Sequence, residues 1–357
     1  MHPGPVLRLA VAPVVALAVV LSVAVWASGR EPDGRAPLAA AFDALPSGTV
    51  VAGFTDWASL RDGVGAEAST DAELRAVLRD DASLRDLTTR SVLGGVVEQM
   101  DDLYGWSAAD LQWESYGRAQ AGAVMVARLS DDVSLDDVRS AWSSLGYQRV
   151  DGVWTLGQQG RTAVGPELAA TLGHVALVPG RRLVVAADSA EYVRTTLDVI
   201  DGRRDSALSI RPLADVTRSL AGSDSAVVQS RAFGCRATSL DALGADVQAQ
   251  AAAALDRVAP LVAPTVTGRG LADGSPSQTI RFVSAFDSPA QARAQGQVRS
   301  ALASGPFIGR SGRIEDSLVL RDVTAEGSVA TLTFALDPDR GAYMSGEGPL
   351  LFASCPA

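Results

Sequence analysis

The sequence predicts an α+β body, with antiparallel sheets and packed helices, behind one N-terminal transmembrane helix. Three observations predict this class. An uncharged apolar run extends from Leu9 to Ala27 and does not recur later in the chain. Short strand-like segments follow it in pairs joined by tight Gly-containing turns, which is typical of antiparallel hairpins. Segments with apolar residues three and four positions apart lie between them and indicate amphipathic helices.

The apolar run is a membrane-targeting element. At ~1.5 Å per residue, Leu9–Ala27 nearly crosses a hydrocarbon layer ~30 Å thick. Arg8 precedes the run and the charges that follow it cancel, so we expect residues 1–8 in the cytoplasm and the body outside. The ending Val25-Trp26-Ala27 fits either a retained single-pass anchor in the cell membrane or a cleaved signal peptide, in which case the body is secreted.

Composition narrows the chemistry of the exported part. All 31 basic residues are arginines, and the chain has neither Lys nor Asn. This excludes a Schiff-base lysine, a P-loop lysine and an N-linked glycan acceptor. The net charge of −10 repels nucleic acid, so we expect no nucleic-acid partner. A body of about 330 residues suits one large or two ordinary domains.

The chain order of elements begins with a linker at 28–40, which is rich in Gly, Pro and charge. The first part of the body, 41–234, contains the following predicted elements: strand Val50–Phe54, a helix capped by Asp56, helices from Asp71 and over Leu93–Tyr104, a capped turn at Ser107–Asp110, strand Ala121–Ala127, helix Leu135–Leu145, hairpin Tyr147–Val150 with Val153–Leu156, hairpin His174–Val178 with Leu183–Ala187, and helix Ser189–Ile200.

The second part, 235–357, follows a loose boundary between 235 and 276. Its predicted elements are helix Ala245–Val258, an exposed loop at Gly268–Pro276, strand Thr279–Phe286, helix Pro289–Ala303, and hairpin Leu318–Val323 with Val329–Leu336. Strand, helix and hairpin therefore follow one another in both parts. This suggests two related units by duplication, although α+β domains also reuse this order without a common origin.

The two cysteines predict a disulfide. Cys235 and Cys355 are the only cysteines, and exported cysteines are more often bonded than free. Closing a loop of 355 − 235 = 120 residues contributes roughly 4–5 kcal/mol by loop entropy alone. The bond would hold the C-terminal residues against the body. The alternative is a pair of buried thiols.

Catalytic and metal-binding patterns each lack a member. His174 is the only imidazole after the apolar run, and its strand pattern favours a structural role over a triad or metal ligand. Gly63, Gly65 and Ala68 match a dinucleotide fingerprint but follow a helix pattern. A turn explains Asp337-Pro-Asp339 better than calcium binding with Glu347, because Gly341 stands where a ligand oxygen is required.

We also expect structural roles for the pairs of adjacent acidic residues and for four of the tryptophans. The acid pairs are Asp80-Asp81, Asp101-Asp102, Asp131-Asp132 and Asp136-Asp137. Adjacent helical residues point in different directions, so solvation and capping explain these pairs better than a glycosidase pair. The tryptophans Trp106, Trp113, Trp142 and Trp154 are expected in the core rather than on a sugar platform.

Three short segments carry a family resemblance. They are Leu45-Pro-Ser-Gly-Thr-Val-Val51, Asp151-Gly-Val-Trp154, and Arg181 to Ser189 before a helix. Together they resemble a family of bacterial membrane-anchored extracytoplasmic proteins of unknown function that open with Leu-Pro-Ala-Asp-Thr. Here Ser47-Gly48 replaces Ala-Asp. The resemblance implies a topology and a location, and it implies no site.

The sequence therefore predicts a noncatalytic cell-envelope protein whose exported body acts through binding or structure. The alternatives are an envelope lipid or glycan binder and a hydrolase that uses acidic residues. No catalytic, cofactor-binding or metal-binding residue is predicted, and no cofactor; the disulfide Cys235–Cys355 is the only assigned site. The expected partners are the membrane, through the N-terminal helix, and an envelope protein, lipid or glycan.

Overall fold

A computed structural model describes residues 36–64, 71–84, 86–238, 244–274, 277–337, 343–344 and 350–355. The predicted membrane helix Leu9–Ala27, the segment 1–8 and most of the linker 28–40 lie outside these residues. Among the helices that are described, none has the length and apolarity needed to span a bilayer.

The described strands form one antiparallel sheet of twelve with helices packed on it, which confirms the α+β prediction. The strand order across the sheet is β11-β12-β10-β9-β8-β1-β2-β3-β7-β6-β5-β4. The strands are β1 (Val51–Thr55), β2 (Leu111–Ala119), β3 (Gly122–Leu129), β4 (Tyr147–Val150), β5 (Val153–Leu156), β6 (His174–Val178), β7 (Leu183–Ala187), β8 (Ser225–Ser230), β9 (Val266–Ala272), β10 (Gln278–Ala285), β11 (Leu318–Glu326) and β12 (Val329–Leu336).

Helices cover both faces of this sheet. The described helices are α1 (Pro37–Asp43), α2 (Trp57–Val64), α3 (Asp71–Leu84), α4 (Val97–Tyr104), α5 (Leu135–Ser144), α6 (Gln158–Thr171), α7 (Ala190–Ile200), α8 (Arg211–Ser219), α9 (Arg231–Ala237), α10 (Ala245–Leu255) and α11 (Pro289–Ala301). Helices α1, α7 and α8 pack on one face, here called the back face. The other helices and residues 350–355, here called the C-terminal segment, lie on the opposite front face.

The sheet has two halves that meet where β1 pairs with β8. In the amino-terminal half (β1–β7), β1, β2 and β3 lie side by side, α5 follows, and the chain returns in β7 beside β3. In the carboxyl-terminal half (β8–β12), β8, β9 and β10 lie side by side, α11 follows, and the chain returns in β12 beside β10. The return strands β6 and β7, rather than the edge hairpin β4–β5, thus occupy the place that β11 and β12 occupy in the other half. A duplication stays a prediction.

Local sequence signals fix several element ends, among them the predicted helix start at Ser189. Ser134, Ser189 and Ser288 each accept a hydrogen bond from a backbone N–H of the first helical turn. The turn between β4 and β5 places Asp151 and Gly152 at positive φ angles of 50° and 83°, as a type I′ hairpin requires. The capping box at Ser107 and Asp110 is also present.

One predicted loop is wrong. The segment predicted as an exposed loop from Gly268 to Pro276 begins as the greater part of β9, which is buried in the middle of its half. Its glycines are needed for packing rather than for turning, because a Cβ atom on Gly268 would lie 2.6 Å from a methyl carbon of Val216 in α8. Glycine in a strand often marks such a close approach.

Strand β2 is not among the predicted elements either. This strand has no simple alternation of apolar and polar residues, because both of its faces are covered and it carries a buried glutamate, Glu114. Three of the tryptophans are buried as predicted, since Trp106, Trp113 and Trp142 are at most 2% exposed. Trp154 is half-buried and packs edge-on against Trp142.

Candidate ligand cavity

The predicted disulfide is present and holds the C-terminal segment. Cys235 in α9 is bonded to Cys355, with their Cα atoms 5.2 Å apart. The segment also contributes Phe352, whose ring centroid lies 5.0 Å from those of Phe282 and Phe334 on the front face. The C-terminal segment is therefore part of the core, as the bond predicts.

A buried arginine adds a second attachment for this segment. Arg299 of α11 is 1% exposed and donates hydrogen bonds to the carbonyl oxygens of Phe352 (2.8 Å) and Ser354 (2.9 Å). It also donates to the carbonyl oxygen of Val262 at 3.1 Å. Burial lowers the pKa of Arg299 to about 10, so the side chain remains charged at neutral pH.

A cavity of about 430 Å³ lies beside the attached segment. One wall is the last turns of α10 and the residues after it, a second is the end of α11 with the following loop, and a third is the start of the C-terminal segment. The apolar residues that line it are Ala253, Ala254, Val258, Ala301, Leu302, Pro306, Phe307, Ile308, Ile314, Leu350 and Leu351. The cavity is therefore mostly apolar, and its deepest residues belong to the front-face core.

The space exists because α10 is made of small residues. Its sequence, Ala-Asp-Val-Gln-Ala-Gln-Ala-Ala-Ala-Ala-Leu, favours a helix strongly, but alanine side chains fill little volume. Only Ala251 of this helix is fully buried among its described residues. The helix therefore contributes little side-chain volume to the cavity that it lines together with Phe307 and Leu351.

The rim of the cavity is polar. Gln250, Arg257 and Ser304 line it and are exposed to solvent. The guanidinium of Arg257 forms no hydrogen bond or ion pair with any residue that the structure describes. An apolar interior with a few polar groups at its edge is the usual character of a small-molecule site, and such sites measure ~300–1,000 Å³.

Only indirect features of the sequence point to this site, namely the disulfide, which indicates an ordered C-terminus, and the alanine-rich helix. Nothing in the spacing of Ala254, Phe307 and Leu351 indicates that they surround one space, because they come from three distant parts of the chain.

His174 lies away from this cavity, in β6. Its Nδ1 atom is 3.1 Å from the hydroxyl of Thr155 on the neighbouring strand β5. Burial, with a further contribution from Arg161, lowers the pKa of His174, so the ring is neutral at pH 7. In the described part of the chain, no group of three or more His, Cys, Asp or Glu side chains is placed to hold a metal ion.

The acid pairs of the sequence are solvated or paired with arginines where their side chains are described. Asp101 lies 3.2 Å from Arg75. Asp136 lies 2.6 Å from Arg139 one helical turn away. The glycine pattern at Gly65 and Ala68, and Asp339, Gly341 and Glu347 of the turn, lie outside the described residues.

A separate cleft of about 480 Å³ is lined by four carboxylates, Asp273, Glu315, Asp316 and Asp337. Glu315 accepts a hydrogen bond from the backbone N–H of Gly305 at 3.0 Å, and hydrogen bonding lowers its pKa. A hydrolase needs one acid with a raised pKa to protonate the leaving group. Among the described acidic residues, burial raises the pKa of Asp56, Asp110 and Glu114, and none of these three lines the cleft.

Glu114 is a buried carboxylate that the sequence analysis did not single out. It is 1% exposed and accepts hydrogen bonds from the indole N–H of Trp57 (3.1 Å), the hydroxyl of Ser91 (2.5 Å) and the backbone N–H of Val92 (2.6 Å). Burial raises its pKa, and these hydrogen bonds act in the opposite direction. The carboxylate joins β2 to α2 and to the 91–92 loop, which is a structural role.

No known protein family and no curated protein matches the chain. Among solved structures, crystal form I of TP0453 matches with a TM-score of 0.41 and 8% identity over 84% of this chain and 94% of that one. Crystal form III of TP0453 matches with a TM-score of 0.43 and 8% identity over 85% and 97% of the two chains. No function is transferred on a likeness of this size.

Proposed function

We propose that this chain is a noncatalytic cell-envelope protein whose exported body binds an envelope amphiphile by its apolar chain. The cavity between α10, the end of α11 and the C-terminal segment carries this proposal. The apolar run Leu9–Ala27 supports the envelope location, as an anchor or as a signal peptide.

The size and lining of the cavity favour a hydrocarbon chain over a glycan. Small-molecule sites measure ~300–1,000 Å³, so a volume of 430 Å³ has room for an alkyl chain. The walls are Ala, Val, Leu, Ile and Phe side chains, which offer no hydrogen bonds to sugar hydroxyls inside. The exposed Arg257 at the rim suits an anionic headgroup.

Native mass spectrometry with single-chain amphiphiles tests this proposal. We expect the full-length protein, extracted in mild detergent, to bind a C14 fatty acid, and we expect Ala254→Trp to abolish binding because the indole occupies the cavity. The matched control is Ala252→Trp, since Ala252 is exposed on the same helix and does not line the cavity.

The headgroup is tested in the same assay. Arg257→Gln removes an exposed ion pair worth about 0.2–1 kcal/mol, so fatty-acid binding should weaken up to about fivefold. Binding of the neutral alcohol of equal length should stay unchanged. If wild type and Ala254→Trp retain the same amount of every amphiphile, the cavity is not the binding site and the proposal is wrong.

A further inference from the structure

Two buried arginines lie on the front face of the carboxyl-terminal half. Arg269 of β9 is 8% exposed and Arg299 of α11 is 1% exposed. Both line a second, much smaller cavity of about 20 Å³, which lies behind Phe352 and Ala353 of the C-terminal segment. Burial lowers the pKa of each arginine only to about 10, so both carry a full charge at neutral pH.

The positive charges at this cavity exceed the negative ones. Among the described residues that line it, none is an aspartate or glutamate. The hydrogen bonds of Arg299 go to three carbonyl oxygens, and that of Arg269 goes to the carbonyl oxygen of Tyr343 at 2.8 Å. Asp86 attracts Arg269, but it attracts Arg90 as well. Among the described residues, one carboxylate therefore serves two arginines, and none is paired with Arg299.

Arg299, one of the residues that line the cavity, has an unused hydrogen-bond donor. The Nε atom of Arg299 is completely buried and has no hydrogen-bond partner in the described part of the molecule. Burying an unpaired charged donor is costly, so such a group usually has a bound partner. The cavity also has polar side chains that could complete a ligand shell, namely Thr267, Ser284 and Gln229.

The size of the cavity limits its occupant. A space of ~10–15 Å³ holds one water molecule, so 20 Å³ holds one water-sized particle and excludes phosphate, sulfate or a carboxylate. A water molecule satisfies the Nε donor but leaves both guanidinium charges uncompensated. A monatomic anion satisfies the donor and the charge together.

We propose that Arg269 and Arg299 bind one small monovalent anion, of the size of chloride, behind the C-terminal segment. The anion neutralises the cluster that holds Phe352 and Ser354 in place through Arg299. It thereby stabilises the wall that Leu350 and Leu351 contribute to the larger cavity. This site is independent of the proposed amphiphile binding, because its occupant neither enters the larger cavity nor requires it to be filled.

Bromide is the direct probe of this site. Crystals of the full-length protein grown in sodium bromide should show an anomalous difference peak within about 3.5 Å of the Nε atom of Arg299, since bromide takes the place of chloride. Bromide peaks only on the protein surface would identify an adventitious ion only, and a water molecule in the cavity would overturn the proposal.

Thermal unfolding gives a second readout in solution. At constant ionic strength, replacing gluconate with chloride should raise the Tm by about 2–4 °C in a saturable manner. Arg269→Met should abolish this dependence. The matched control is Arg281→Met, because Arg281 also donates to backbone carbonyls (of Ser219, Leu220 and Ala221) but lies on the back face and away from the cavity.

The control variant should unfold at a lower temperature and keep the full chloride dependence. If wild type and Arg269→Met respond equally to chloride, the site does not exist as described. If Arg269→Met does not fold, the bromide crystals of the wild-type protein still decide the question.

Discussion

The two halves of the sheet cover their front faces in different ways. In the amino-terminal half, large aromatic rings fill the space between strands and helices, and Trp57, Trp106 and Trp142 are completely buried. Tyr104 and Tyr147 pack against two of these rings, and their hydroxyls are hydrogen-bonded to each other at 3.0 Å. In the carboxyl-terminal half, α11 and the C-terminal segment cover the strands, and a cavity of about 430 Å³ remains beside the alanine-rich helix α10.

The difference shows that side-chain volume decides where this fold has room for a ligand. The strand paths of the halves are alike, so the topology alone does not produce the cavity. The amino-terminal half obtains its cohesion from close packing and from the buried carboxylate of Glu114. The carboxyl-terminal half is less filled and depends on a covalent bond and on Arg299.

The largest expected effect is on the amino-terminal half. Glu114→Ala leaves the indole N–H of Trp57, the hydroxyl of Ser91 and the amide of Val92 without their acceptor. Breaking such a buried network costs about 3–5 kcal/mol of the free energy of unfolding. Urea unfolding followed by tryptophan fluorescence measures this loss.

The control for this prediction is Glu167→Ala, an exposed glutamate of α6 in the same half, which should change the free energy by less than about 0.5 kcal/mol. Under native conditions Glu114→Ala should still bind the amphiphile, because the cavity lies in the other half. Loss of binding by the folded variant would mean that the two front-face regions are not separable.

The second effect concerns the carboxyl-terminal half. Replacing both Cys235 and Cys355 by serine releases the C-terminal segment from α9 and should cost about 2–4 kcal/mol. We expect faster hydrogen exchange at residues 350–355 and weaker amphiphile binding, because Leu350 and Leu351 form one wall of the cavity. Reduction of the wild-type protein should reproduce both changes, and unchanged binding in both samples would contradict the role given to this wall.

The sequence predicted the elements with local signals, and it could not predict those that depend on a distant partner. Ser107 and Ser189 accept hydrogen bonds from backbone N–H groups two or three residues later, so their positions followed from the local sequence. Strand β9 was missed because its glycines fit against Val216 and Leu220, which come from a helix about 50 residues earlier in the chain. Strand β2 was missed because the partners of Glu114 lie 22 to 57 residues away.

In the candidate site, too, the sequence predicts the feature with a simple signal and not those that depend on distant partners. The bond between Cys235 and Cys355 was predicted because an exported chain with two cysteines offers one pairing. The larger cavity was not predicted, because the volume between Ala254, Phe307 and Leu351 depends on how α10, the loop after α11 and the C-terminal segment are placed. The small cavity lined by Arg269 and Arg299 could not be predicted either, because arginine is normally exposed and the sequence does not indicate that these two are buried.

The smallest expected effect lies at the junction of the halves. Asp56 follows β1, and its backbone N–H donates to the carbonyl oxygen of Asp224, which precedes β8, at 2.7 Å. Burial, with the neighbouring carboxylate of Asp224, raises the pKa of Asp56 from 3.8 to about 6. The folded state binds this proton more tightly than the unfolded state. Ionisation of Asp56 therefore lowers the free energy of unfolding as the pH rises from about 4 to 6, and the full loss is present above pH 6.

Asp56→Asn should therefore be more stable than wild type by about 1–2 kcal/mol at pH 7, with the difference vanishing toward pH 4. Asparagine retains the cap, because its oxygen can still accept the hydrogen bond from the amide of Ser59. Asp287→Asn, at an exposed site remote from the junction, should show less than about 0.5 kcal/mol at either pH. The junction belongs to both halves, so the urea transition of Asp56→Asn also tests whether they unfold together. If the free energy of unfolding increases in one common transition, the halves unfold as one unit. If it increases in only one of two transitions, close packing and the covalent bond stabilise two separate units.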